Sequence, residues 1–99
     1  MTEGKVTVVA RIRAKAGKEE LVREHLLALI GPTRAEAGCI NYDLHQSAEE
    51  KGLFLFYENW VSRKALDEHL ATPHLEGFKA VADEILAEPL DITLWKLIS

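Results

Sequence analysis

The chain has 99 residues, 47% hydrophobic and 28% charged, with six Gly and three Pro. That is the size and make-up of one folded domain over residues 1–99, with room for a single core and none for a separate cofactor domain. Sixteen acidic against twelve basic side chains give a formal charge of −4, and no basic block is present to neutralise phosphates, so nucleic acid and membrane surfaces are excluded as partners. Cys39 is the only cysteine, which forbids an intrachain disulfide and a cysteine-rich metal centre. The start shows no signal-peptide pattern and no stretch approaches the ~20 apolar residues that span a bilayer, so the expected location is the cytoplasm.

From Lys5 to Ala14 the residues alternate, with Val6, Val8, Ala10 and Ile12 on one side and Thr7, Val9, Arg11 and Arg13 on the other, a first strand. Ala16-Gly17 breaks it. From Lys18 onward Leu21, Val22, His25, Leu26, Leu29 and Ile30 share a helical face, with acidic residues in the first turn, and Gly31-Pro32 is expected to bend or thin this helix. Ile40, Tyr42 and Leu44 alternate with Asn41, Asp43 and His45 in a second strand; after a polar loop, Leu53-Phe54-Leu55-Phe56-Tyr57 starts a third. Ser62 caps a second helix, which Thr72-Pro73 stops and restarts, Thr as cap and Pro at the first helical position. Leu90, Ile92 and Leu94 then alternate in a last strand.

This β-α-β-β-α-β order, with right-handed crossovers, makes a four-stranded antiparallel sheet carrying its helices on one face: an α+β, ferredoxin-like fold. Val9, Tyr57, Trp95 and one parity of Leu53 to Leu55 lie on the other face, where solvent would demand polar residues. With no spare element to cover them, the expected partner is a second copy of the chain, a homodimer.

No phosphate loop, paired cysteines or recognised metal-ligand spacing appears, and His69 and His74, five apart across a helix break, are a weak match to a metal site. The sequence thus points to no metal and no cofactor. Glu58 and Trp60, two apart at the end of the third strand, project from the same sheet face. His69 lies among Leu66 and Leu70, aiming its imidazole inward; His74 reaches the same gap, or hydrogen-bonds the turn. Tyr42 is in phase to complete an aromatic wall, in which Phe56 and Phe78 read first as core. Glu58 against an apolar layer needs a partner, Arg11 or Arg13, or a raised pKa.

The strings Glu36-Ala37-Gly38-Cys39-Ile40-Asn41-Tyr42, Phe56-Tyr57-Glu58-Asn59-Trp60 and Leu66-Asp67-Glu68-His69-Leu70-Ala71-Thr72-Pro73-His74, followed by Phe78, strongly resemble the antibiotic biosynthesis monooxygenase domain family. The resemblance implies a dimeric ferredoxin-like α+β barrel. Its members include cofactor-independent monooxygenases of phenols and quinols, a sugar-phosphate isomerase of quorum-signal breakdown, and haem-degrading enzymes. The haem-degrading pattern is broken here, because Ala82 and Ala10 stand near the positions that hold its His and Asn. For an oxygenase, the resemblance implies His69 or Glu58 as base, Trp60, Tyr42 and Phe78 around a small aromatic or quinol-like substrate, and Asn59 or Arg11 on an oxygen substituent. A signal-type isomerase and a non-catalytic small-ligand binder are the alternatives.

Overall fold

The alternating and helical patterns become seven elements in the computed structural model, which describes residues 4–99. They are β1 (Val6–Arg13), α1 (Glu19–Arg34), β2 (Cys39–Gln46), β3 (Leu53–Trp60), α2 (Arg63–Leu70), α3 (Pro73–Ile85) and β4 (Asp91–Trp95). The strands form one antiparallel sheet in the order β2-β3-β1-β4. This is the ferredoxin-like arrangement, with the second helical segment divided in two.

Register decides which residues meet the helices. Val8 pairs with Glu58 and Leu94, and Ala10 with Phe56 and Ile92, so these share the helix-covered face. Buried Val8, Ile12, Phe54 and Phe56 pack there against Leu26, Leu66 and Phe78. Truncating a fully buried leucine such as Leu26 costs about 2–5 kcal/mol.

α1 does not thin out at Gly31-Pro32 but continues through it to Arg34. Pro32 removes a single backbone donor, whereas the buried stripe Val22, Leu26, Leu29 and Thr33 runs on past it. The last turn is also docked on β2, where Arg34 Nε donates to the Tyr42 carbonyl at 3.2 Å and Arg34 pairs with Asp43 at 3.2 Å. Leu21, expected on the inner face, is exposed. After Ala35 the chain must pass very close to α2. A Cβ on Gly38 would collide with the Ala65 side chain, so only glycine fits here.

The opposite sheet face carries Val9, Leu55, Tyr57, Arg11 and Trp95. Along one end runs a polar ladder: Thr7 Oγ1 donates to Asn59 Oδ1 at 2.6 Å, Asn59 Nδ2 to Asn41 Oδ1 at 2.9 Å, and Asn41 Nδ2 to Asp43 Oδ2 at 3.1 Å. Tyr57 and Trp95 keep 44% and 59% of their surface in solvent, which leaves this face apolar and open on a single chain. Among the described residues no helix is long and apolar enough to cross a membrane.

Candidate active site

Tyr42 and Glu58 are direct cross-strand neighbours in the β2–β3 ladder, and the two-residue period puts Trp60 on the same side as Glu58. Trp60 Nε1 donates to Glu58 Oε1 at 2.9 Å. This indole is the partner the buried carboxyl finds. The arginines expected to serve it, Arg11 and Arg13, extend from the other face, Arg11 4.0 Å from Asp91 and Arg13 2.7 Å from Glu50. Burial pushes the Glu58 carboxyl up to about 7; the Trp60 hydrogen bond works against that rise and the charge of Glu36 adds to it.

His69 arrives from the helix side. Ser62 Oγ caps α2 by accepting from Ala65 N at 3.1 Å, and the inward stripe then carries Ala65, Leu66 and His69. The imidazole is 2% exposed, its ring centre 4.5 Å from that of Trp60 and 5.5 Å from that of Tyr42. Tyr42 in turn stacks on Phe56 at 4.2 Å. Burial lowers the His69 pKa below its ordinary 6.5, against an opposing pull from Glu36, so the ring is neutral at pH 7.

Thr72 makes the break between α2 and α3. Its hydroxyl donates to the His69 carbonyl at 2.7 Å and accepts from Leu75 N at 3.4 Å, and Pro73 opens the new helix. The break lets a second imidazole turn toward the first. His69 Nδ1 and His74 Nε2 lie 2.9 Å and 2.7 Å from the same atom, Oε2 of Glu36. With Glu36 ionised, the shared oxygen accepts from both rings. That network assigns the proton of His69 to Nδ1 and leaves Nε2 as its acceptor, without a protein partner among the described residues.

Beneath the helices lies a hollow of about 30 Å³ lined by Tyr42, Glu58, His69 and Phe78 and by apolar residues that include Val8, Leu90 and Ile92. That volume is about one water molecule's share of liquid, several times less than a cavity that accepts benzene. The expected site residues are therefore divided. Tyr42, Glu58, His69 and Phe78 face the hollow. Trp60 stands behind, packed on His69 and bonded to Glu58. His74 is outside, on Glu36. Asn59 and Arg11 do not reach the hollow, because strand parity turns both to the opposite face. A neutral imidazole and a carboxyl titrating near neutrality, in a dry aromatic setting, can move a proton to or from a weakly acidic substrate.

Glu36 is the residue to which sequence reasoning gave no role, although it opens one of the family-like strings. It sits between α1 and β2, outside any periodic element, and only docking of α2 and α3 brings it to the histidines. Two histidines five apart across a capped break were the available signal, since such a pair needs a third group to converge on. In the resulting cluster Glu36, His69 and His74 each present a ligating atom, all within 4.8 Å of one another.

The chain resembles known proteins along nearly all its length. The family model described as antibiotic biosynthesis monooxygenase matches residues 5–81. A Mycobacterium tuberculosis protein named "Putative monooxygenase Rv0793" is 43% identical over 89 residues, covering 90% of this chain and 87% of that one. "Putative monooxygenase YcnE" of Bacillus subtilis is 33% identical over 92 residues, covering 93% and 97%. The crystal structure of PA3566 from Pseudomonas aeruginosa superposes with a TM-score of 0.94 at 33% identity, covering 100% and 99% of the two chains.

Proposed function

The chain belongs to the antibiotic biosynthesis monooxygenase family, and we propose that within it this protein is a cofactor-independent monooxygenase of a small phenolic or quinol-type compound, with His69 as the base. Membership and the names of the relatives support a monooxygenase-like function. The observation that carries the finer reading is the Glu36–His69 pair: a carboxylate on Nδ1, and a free Nε2 on a ring that lines the hollow. A part-buried carboxylate that holds an imidazole in this tautomer favours the imidazolium formed when the ring accepts a proton.

In the proposed reaction the substrate gives a proton to His69 Nε2. The resulting electron-rich anion passes an electron to dioxygen, and the radical pair combines at carbon. Loss of water then leaves a carbonyl, so one oxygen atom enters the product and the other departs as water. Glu58, raised by burial to about 7, keeps a protonated fraction at neutral pH and can donate its O–H to the oxygen on which charge develops. Tyr42 and Phe78 provide the aromatic lining, while Trp60 positions both Glu58 and His69. The hollow is too small for a ring, so turnover requires the wall of Leu90 and Ile92 to give way. The same reading has a second copy of this one-domain chain cover Tyr57 and Trp95, and places the homodimer in a reducing compartment, the cytoplasm, in keeping with its lone thiol.

Chelator-treated protein should consume oxygen with a quinol substrate, and His69→Ala should abolish the consumption. Intact turnover in that variant removes His69 as base, and product formed without oxygen replaces the oxygenase by an isomerase.

A further inference from the structure

We propose that Glu36, His69 and His74 form a binding site for a zinc-like divalent cation, through Glu36 Oε2, His69 Nδ1 and His74 Nε2. Two imidazole nitrogens and a carboxylate oxygen are a donor set suited to a borderline transition-metal ion, with remaining positions for water. Zinc bonds of about 2.0–2.2 Å place the donors of a tetrahedral site roughly 3.3 Å apart. Here two of the pairs are already 2.9 Å and 2.7 Å apart and no pair exceeds 4.8 Å, so adjustments of about an ångström complete the geometry.

The donors come from three segments, and each segment is held independently. The Glu36 backbone is fixed on both sides, its N–H to Thr33 O at 3.0 Å and its carbonyl to Cys39 N at 3.1 Å. His69 is wedged by Trp60 and Tyr42. His74 is set by the Thr72 cap and by Pro73. The cluster is also reachable: His69 is buried, but Glu36 and His74 keep 16% and 21% of their side-chain surface in solvent. The first turn of α3, where His74 sits, disfavours a cation through the helix dipole. The charge of Glu36 therefore decides whether an ion is held. The nearby cation, Lys79, is engaged elsewhere, its ammonium 2.9 Å from Leu70 O and 3.3 Å from Glu76.

Occupancy has a chemical consequence that rests on the proposed function. Ligation takes the Nδ1 lone pair of His69 and puts the ring proton on Nε2. The nitrogen that Glu36 leaves free changes from acceptor to donor, and a metal ion at the cluster switches off the base.

The test uses the full chain without a polyhistidine tag, stripped by chelator and titrated with Co²⁺ alone and with Zn²⁺ alone. One ion per chain, visible d–d absorption of a low-coordinate Co²⁺ site, its displacement by Zn²⁺, and a chelator-reversible rise in Tm are expected. His74→Asn and Glu36→Gln should each weaken affinity by at least about tenfold, the scale at which even a ligand's hydrogen-bond partners matter. Circular dichroism of the metal-free variants shows which of them are folded, and a folded one decides the question. Uptake far below one ion per chain, or affinity unchanged in a folded variant, overturns the site. Zn²⁺ inhibition of oxygen consumption is scored separately. Binding without inhibition leaves the metal site standing and refutes His69 as base; turnover with no metal uptake does the reverse.

Discussion

The two faces of the sheet invert the usual rule for a small domain. The face under the helices should be apolar, yet it holds Glu58 at 4% exposure, with His69 of α2 packed over it at 2%; the face turned to solvent should be polar, yet it exposes Tyr57 and Trp95. A buried ionisable group costs stability and is kept where its proton chemistry is used. An exposed aromatic patch costs solubility and is kept where another surface covers it. On the proposed function, the contrast separates chemistry from assembly on opposite sides of the same strands. β3 shows it residue by residue: Phe56, Glu58 and Trp60 face the site, while Leu55, Tyr57 and Asn59 face away.

The sharpest way to break this division is on the inner face. His69→Ala should lower kcat/KM by about 10²–10⁴, the range for a general base, measured as oxygen uptake with a quinol, with little effect on the oligomer. The outer face should respond in the opposite manner. Trp95→Asp or Tyr57→Asp, each placing a charge in the proposed dimer seam, should give aggregated or unfolded chains by size-exclusion chromatography and light scattering. A soluble, stable monomer from either change would show that this face needs no cover.

Glu58→Gln should reveal the cost of the inner carboxyl. Folding raises its pKa from 4.5 to about 7, so the folded chain keeps a proton that the unfolded chain loses. Its contribution is full below about pH 4.5 and is lost as pH rises through about 7, a change of about 3 kcal/mol. Glutamine still accepts from Trp60 but does not ionise. Urea denaturation should therefore find the variant more stable than wild type at pH 8 by up to about 3 kcal/mol, and the advantage should vanish near pH 4.5. His69 acts with the opposite sign: its pKa is lowered, so its contribution is present above 6.5 and lost as pH falls. Gly38→Ala, which drives a methyl into Ala65, should cost about 1–3 kcal/mol by the same assay. It should also impair turnover, because Glu36 is carried on the same short turn.

Much of this organisation was legible from period alone. Alternation in the strands gave the two faces and put Glu58 with Trp60; the Ser62 cap and the Thr72-Pro73 stop placed His69 on an inward stripe. The same parity argues against Arg11 and Asn59 as substrate ligands, a role carried over from the family resemblance despite their strand positions. Pro32 misled because local propensity yielded to a stripe that stays buried through Thr33. Glu36 was hidden for a different reason. A residue in a short turn has no period to follow, and its meeting with two imidazoles is created by tertiary docking. The size of the hollow was equally beyond pattern, since volume depends on how neighbouring side chains interlock.

β4 is exposed along its whole length and, among the described residues, pairs with one strand only, β1. Such a strand is the natural first unit of local opening, so its amides should trade deuterium by subglobal release well ahead of those in β1 and β3. Ile92, within it, and Leu90, just before it, wall the hollow, so the same breathing would admit a ring that the closed form refuses. A bound aromatic compound should then leave its clearest trace as slowed isotope exchange in this one strand.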